Sequence, residues 1–561
     1  MSAADADLLL VNGAVHTVDP ALPRASAVAI RRGLIAAVGS DDDMRDLHGP
    51  RTETVDLRGR TVLPGFQDAH AHPSGAGLER SRCDLSHLHD REGYLACISA
   101  YAAGHPDAPW ILGGGWAMDV FPSGIPTKED LDRVVPDRPV FLPSRDHHSA
   151  WVSSRALELA GIDARTPDPA DGRIERDGAG EPLGALQEGA MELVRRVCPP
   201  DTAAEVAAGI LEAQRYLHGL GITAWQEAIV GAGPPRVDCF DAYLALDGSG
   251  QLTAKVVGAL WWERGAGEGQ LDSLLSLRER ADGCARFTTS TVKFMQDGVC
   301  ENFTAAMLEP YLDAEGHPGH TSGKSFFDAE ELTRYVTLVD AHGFQAHFHA
   351  IGDRAVREVL DAVEVARREN GPNDNRHCAA HIQVVHPDDL ARFARNGLVA
   401  NGQPLWACNE PQMVELTLPF LGPERSSWQY PFGSLVRSGA RLCFGSDWPV
   451  STPDVMAQIH VALNRTEPPG HLYGGGAPGE PFLPAERVDL ETAVAAFTMG
   501  SAYVNHLEGE TGSITAGKRA DLAVCDRDLF ASPRDEIGTI RVDMTFADGV
   551  MVHGASSAGA A

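Results

Sequence analysis

Eight short apolar runs recur between residues 61 and 444 of this chain, and stretches with helical spacing separate them. The runs are Thr61–Phe66, Ile222–Trp225, Lys255–Trp261, Ser290–Met295, Phe344–Phe348, Cys378–Ile382, Leu398–Asn401 and Leu442–Phe444. Apolar runs of this length read as strands buried on both faces, the habit of a parallel sheet. Stretches such as Ala203–Leu217 and Ala329–Ala341 read as the intervening helices. Eight is the number of strands that closes a (β/α)8 barrel. The expected fold class is therefore α/β, with a TIM-like barrel over residues 61–507.

The two ends of the chain follow another pattern. Leu8–Val11 and Ala14–Val18 flank Asn12-Gly13, and Ala27–Ile30 and Leu34–Val38 flank Arg31-Arg32-Gly33. Near the other end, Asp521–Cys525, Met544–Ala547 and Val550–Val552 read as strands, the last two joined by Asp548-Gly549. Such spacing predicts hairpins. Neither end alone has enough strands to bury a core. Residues 1–60 and 508–553 are therefore expected to form one composite β-sandwich domain. Residues 554–561, rich in Gly, Ala and Ser, are expected to be a disordered tail. The gap between the first two barrel strands, about 75–200, is too long for a simple crossover. It is expected to be an insertion with helices and strands of its own, shaping the mouth of the barrel.

Composition narrows the function. The formal net charge of −31 argues against nucleic-acid binding, which needs a basic face. The first residues lack the basic and apolar segments of a secretory signal, and no apolar run approaches membrane-spanning length. The ten cysteines form no C-x-x-C pair and read as structural thiols. A cytoplasmic protein with a small-molecule substrate is expected, homodimer formation being left open. No G-x-S-x-G elbow, H-E-x-x-H helix, Walker loop or dinucleotide fingerprint appears.

Candidate chemistry gathers at the ends of the barrel strands. Asp68-Ala69-His70-Ala71-His72 follows the first, and side chains two apart on an extended segment face one way, so both imidazoles reach one ion. Lys293 lies in the mostly apolar Thr291–Met295, where an unpaired ammonium is costly. His347 and His349 share a face after the fifth strand, and His349, nearer its C-terminal end, is the better candidate. His381 closes Cys378–His381, and Asp447 follows Phe444-Gly445-Ser446.

In these motifs the chain resembles the amidohydrolase superfamily. The resemblant segments are Asp68–His72, His349–Ala355, His381 and Gly445-Ser446-Asp447-Trp448-Pro449. Its third subgroup, which includes the N-substituted formamide deformylases, is similar also in His148-Ser149-Ala150-Trp151, Ser154–Leu157 and Ala516–Leu522. The resemblance implies metal ligation by His70, His72, His349, His381 and Asp447. It also implies a role for Lys293, which in many members carries a carbamate bridging two metals. One or two Zn2+ ions are expected, other divalent metals being admissible. The activity implied is hydrolysis of non-peptide C–N bonds, with Asp447 as proton carrier. Deamination of a ring and hydrolysis of an ester or lactone are the alternatives. A non-catalytic assembly protein is a further one, against which the full ligand set argues.

Other residues carry two readings. His148 is either a pocket residue that touches substrate or a hydrogen-bonded histidine of the insertion, and it stands next to Asp447 as a catalytic candidate. Glu227 and Gln403 lie near strand ends as supports for the site. Trp116, Trp225 and Trp406 read as packing before pocket. His147, His317, His320 and His342 read as structural or surface groups.

Overall fold

The computed structural model describes residues 5–231, 238–470 and 479–554. All but the first residue of the expected disordered tail lie outside them. The barrel is an eight-stranded parallel sheet in sequential order: β1 (Phe66–Ala71), β2 (Ile222–Val230), β3 (Lys255–Trp261), β4 (Phe287–Met295), β5 (Gln345–Ala350), β6 (Cys378–His381), β7 (Val399–Gly402) and β8 (Leu442–Phe444). Every residue of β3 is buried, as expected of a strand covered on both faces. The helices Ala203–Gly219 and Ala329–Ala341 fall where the periodicity puts them. The first starts at a Thr202/Glu205 capping box.

The first expected strand, Thr61–Phe66, is two elements. Thr61–Pro64 pairs with strands of the termini, and the barrel strand begins at Phe66, after Gly65. One apolar run thus spans two sheets, and the terminal domain extends to Pro64. The seam between β1 and β8 closes just beyond the strands. Asp447 N–H donates to His70 O at 2.7 Å, and His72 N–H to Trp448 O at 2.7 Å. Gly445 allows this approach, since a Cβ there would lie 2.5 Å from His70 N.

Strands from both ends of the chain share one six-stranded sheet. Leu522–Cys525 lies between Thr61–Pro64 and Val542–Ala547, antiparallel to both. A four-stranded sheet built from Leu8–Val11, Ala27–Arg31, Leu34–Gly39 and Glu53–Asp56 packs on it through Leu10, Val28, Ile30, Val62, Leu522 and Phe546. Asp548-Gly549 is a hairpin turn, with φ of 47° and 71°. Asn12-Gly13 is not. The strands it joins, Leu8–Val11 and Ala14–His16, belong to different sheets, so this turn is a crossover between the layers.

Between β1 and β2 the insertion builds its own six-stranded sheet, from Cys83–Asp84 to Pro182–Glu188, with helices including Arg91–Gly104 and Lys128–Val134. Its loops reach the C-terminal ends of the barrel strands. No helix among the described residues is long and apolar enough to cross a membrane.

Candidate metal centre

At the C-terminal end of the barrel, β1, β6 and the turn after β8 bring His70, His381 and Asp447 together. One ligand atom from each lies within 4.8 Å of the others, and all three residues are buried. His70 Nε2 and His72 Nε2 each stand 3.1 Å from Asp447 Oδ1, and His381 Nδ1 stands 4.0 Å from Asp447 Oδ2. Lys293 Nζ, buried on β4, lies 3.5 Å from His70 Nε2.

These residues fit a divalent cation. Asp447 Oδ1 is buried and takes part in no hydrogen bond, although two ring nitrogens converge on it. Two ligand atoms held at about 2.1 Å by a tetrahedral ion are separated by roughly 3.4 Å, close to the spacing found. Burial, with the Lys293 charge second, keeps His70 well below its ordinary pKa, and burial lowers His72, His349 and His381 too. The imidazoles are therefore neutral at pH 7, the form that ligates metal. Burial opposes ionisation of Asp447, but the facing His72 and His381 rings outweigh it and hold the carboxyl at about 2.

The backbone bears strain at this point. His381 has φ of 74° and Asp447 φ of 55°, in the left-handed region that side chains other than glycine seldom occupy. Strain of this kind persists where surrounding contacts enforce it. Gln403 Oε1 accepts from His381 N–H at 2.9 Å and lies 3.1 Å from His381 Nδ1, and Trp406 stacks on the same ring with centroids 5.5 Å apart. Asp68 braces the other side, accepting from Ser446 N–H at 3.0 Å, Ser446 Oγ at 2.5 Å and His70 N–H at 3.1 Å.

The two histidines of β5 occupy different depths. His347 Nε2 lies 2.6 Å from His70 Nδ1, one strand residue pair below the mouth. His349 lies nearer the mouth, its ring 4.4 Å from that of His381 and 5.4 Å from that of His148. Its Nε2 stands 3.2 Å from Gly298 O. His347 is thus in contact with a candidate ligand, which residue spacing alone did not separate from the role of His349.

A cavity of about 270 Å3 opens above the centre, lined by His70, His72, His147, His148, Glu188, Lys293, His349 and Asp447 among others. His148 comes from the insertion, and its Nδ1 is 2.9 Å from Glu188 Oε1. Burial would lower its pKa, yet Glu188 raises it to about 9, so His148 is an imidazolium at neutral pH. His147, expected to be structural or on the surface, lines the cavity instead and pairs with Glu79 at 3.3 Å. Trp116 and Trp225 are fully buried packing residues. His317 and His342 stand at the surface, far from this chemistry in their contacts: Asp313 and Leu338 O. Glu188 carried no sequence signal, because its partner lies 40 positions away; Asp68 stood in the Asp68–His72 motif, but its bracing of Ser446 spans 378 positions and no local spacing encodes it.

Residues 53–553 match the model of the amidohydrolase family. The chain belongs to that family. The plant protein LONG AFTER FAR-RED 3 of Arabidopsis thaliana is 31% identical to this amidohydrolase over 533 residues, 92% of this chain and 87% of that one. The N-substituted formamide deformylase of Arthrobacter pascens is 29% identical over 559 residues, 97% and 98% of the two chains. Among solved structures, an uncharacterised metal-dependent hydrolase of Pyrococcus horikoshii superposes with a TM-score of 0.71 at 26% identity, covering 94% of this chain and 99% of that one. The barrel and the buried ligand cluster are those of a metal-dependent hydrolase.

Proposed function

We propose that this amidohydrolase cleaves a C–N bond outside peptides in a small molecule, an N-substituted formamide being the lead substrate. The convergence of His70, His381 and Asp447 beneath a cavity that His148 faces carries this reading. The similarity to the Arthrobacter deformylase supplies the substrate class.

His70, His72, His349, His381, Lys293 and Asp447 would hold one or two ions, and the nitrogen and oxygen donors suit zinc. Zinc, when bound, lowers the pKa of water toward neutrality and polarises a carbonyl. Asp447 accepts the proton of the attacking water and returns it to the leaving nitrogen. His148, with Nδ1 engaged by Glu188, has Nε2–H left to donate toward the oxygen of the substrate carbonyl as negative charge develops there. Lys293, buried beside His70, is assigned as a carbamate, which replaces a costly buried ammonium with an anion that the metal neutralises. Intact mass of native enzyme should exceed the sequence mass by one carbon dioxide. A free amine in fully active enzyme would leave a single-metal centre.

The deciding experiment is a panel of N-alkyl formamides, amides, esters and ring amines on zinc-loaded enzyme. Formate release from the formamide is the expected outcome. Ammonia release from ring amines alone would replace the reading with deamination, and cleavage of esters alone would replace it with ester hydrolysis.

A further inference from the structure

We propose that Glu227 positions the metal ligand His72, by capping from a distance the helix that His72 begins. The helix Pro73–Arg80 follows β1 directly, and His72 is its N-cap residue. An N-cap side chain ordinarily accepts from the first free N–H groups of its helix. His72 does not; its side chain makes no capping bond, and its Nε2 turns to Asp447. The vacated capping role falls to Glu227, from the neighbouring strand β2. Its Oε2 accepts from Ser74 N–H at 3.1 Å, and its Oε1 accepts from Ser74 Oγ at 3.0 Å.

Glu227 is itself held firmly. Tyr243 donates its hydroxyl to Glu227 Oε2 at 2.5 Å, and Trp225 Nε1 donates to the Tyr243 oxygen at 3.3 Å. All of these groups are buried, and Ser74 and Glu227 both line the cavity over the centre. A ring that had to cap its own helix could not also point at the metal. Glu227 removes that conflict, so the imidazole is free to ligate while the backbone beneath it stays fixed. Outer partners that orient a metal ligand commonly set the affinity for the ion.

The inference rests on the reading of His72 as a ligand. It is tested on full-length enzyme loaded with cobalt, whose visible spectrum reports coordination geometry, and by zinc release to a chelator. Glu227→Ala should shift the cobalt bands and weaken metal binding by roughly 10- to 100-fold, as loss of an outer partner does elsewhere. Glu227→Gln, whose carbonyl oxygen can still accept from Ser74 N–H, should restore most of both. Asp521→Ala, a buried change at the opposite end of the barrel, serves as the control for lost stability. Unchanged bands and release in Glu227→Ala would overturn the inference while leaving the metal centre intact. Equal metal loss in Asp521→Ala would overturn it too, as general loosening. A wild-type enzyme that binds neither cobalt nor zinc would remove the metal centre and this inference together.

Discussion

Asp447 is the residue on which the proposed ligation and the proposed proton transfer meet, and the two roles separate by substitution. Asp447→Asn keeps the shape and one ligating oxygen but removes the basic carboxylate. Four imidazoles remain for the ion, because His70, His72, His349 and His381 lie on other strands or loops. Metal content and melting temperature should change little, while kcat should fall by about a hundredfold or more, the scale of a lost general acid–base. KM should move less, since the carboxylate acts mainly in the transition state. Near-normal kcat with full metal would exclude Asp447 and turn attention to His148. The pair His70 and His72 was legible because alternate residues of an extended segment face one side. The same rule left His347 and His349 equivalent, since depth along a barrel strand depends on where its neighbours end. His147 and Glu188 were not legible as cavity residues, because the insertion brings them there by a tertiary path that no local spacing encodes.

At the scale of elements, the centre depends on how closely two helices and two strands approach. The helix Pro73–Arg80 crosses Ala203–Gly219 at Gly77, where a Cβ would lie 1.9 Å from Gly209 O. Gly77→Ala must push the helix outward, and overpacking of this kind costs about 1–3 kcal/mol. Because the same helix starts at His72, zinc content should fall along with the melting temperature; full zinc retention would show that the two ends of the helix move independently. A second junction fixes β5. Asp340, at the end of the helix Ala329–Ala341, accepts from Asn370, Asn373, Asn375 and His377 at 2.7–2.9 Å. His377 Nδ1 in turn accepts from Ala346 N–H at 2.9 Å, on the strand that carries His347 and His349. Burial opposes ionisation of Asp340, but the His377 and Asn370 hydrogen bonds hold its carboxyl well below the usual range. A depressed folded pKa contributes stability that is fully present above the unfolded value near 4 and lost as pH falls below it. Asp340→Asn should therefore cost about 2 kcal/mol at neutral pH, the scale of hydrogen bonds to a charged group. The gap between wild-type and variant melting temperatures should narrow on acidification below about pH 4, and a gap constant down to pH 3 would count against the charge as the cause. Most barrel strands were legible from apolar runs. The first was misplaced because Thr61–Pro64 and Phe66–Ala71 are both fully buried, so only the Pro64-Gly65 step marks the passage between sheets.

For the whole molecule, the two ends of the chain form one structural unit that meets the barrel at the start of β3. That the ends pair was legible from their shortage of strands, whereas their division into two layers was not, since Asn12-Gly13 is equally good chemistry for a hairpin and for a crossover. Leu522–Cys525 supplies the strand that joins Thr61–Pro64 to Val542–Ala547, so deleting residues after 508 removes the centre of the six-stranded sheet. It exposes the edge of Thr61–Pro64 and the apolar face made by Leu10, Val15, Val28 and Val62, and an exposed apolar edge recruits other chains. The deletion also reaches the barrel. Lys255, the buried first residue of β3, donates to Asp521 Oδ2 at 2.7 Å and lies 3.5 Å from Asp548 Oδ1. Removing both carboxylates leaves a buried ammonium without its anions, a loss worth about 3–5 kcal/mol where one partner of a buried pair is taken away. The truncated chain should therefore aggregate on expression, and Asp521→Ala in the full chain should lower the melting temperature without changing zinc content, because the pair lies at the opposite end of the barrel from the ligands. Solubility in a pelleting assay, zinc content and turnover decide the matter together. A truncated protein that stays soluble with full zinc and full turnover would show that the barrel stands without the composite domain.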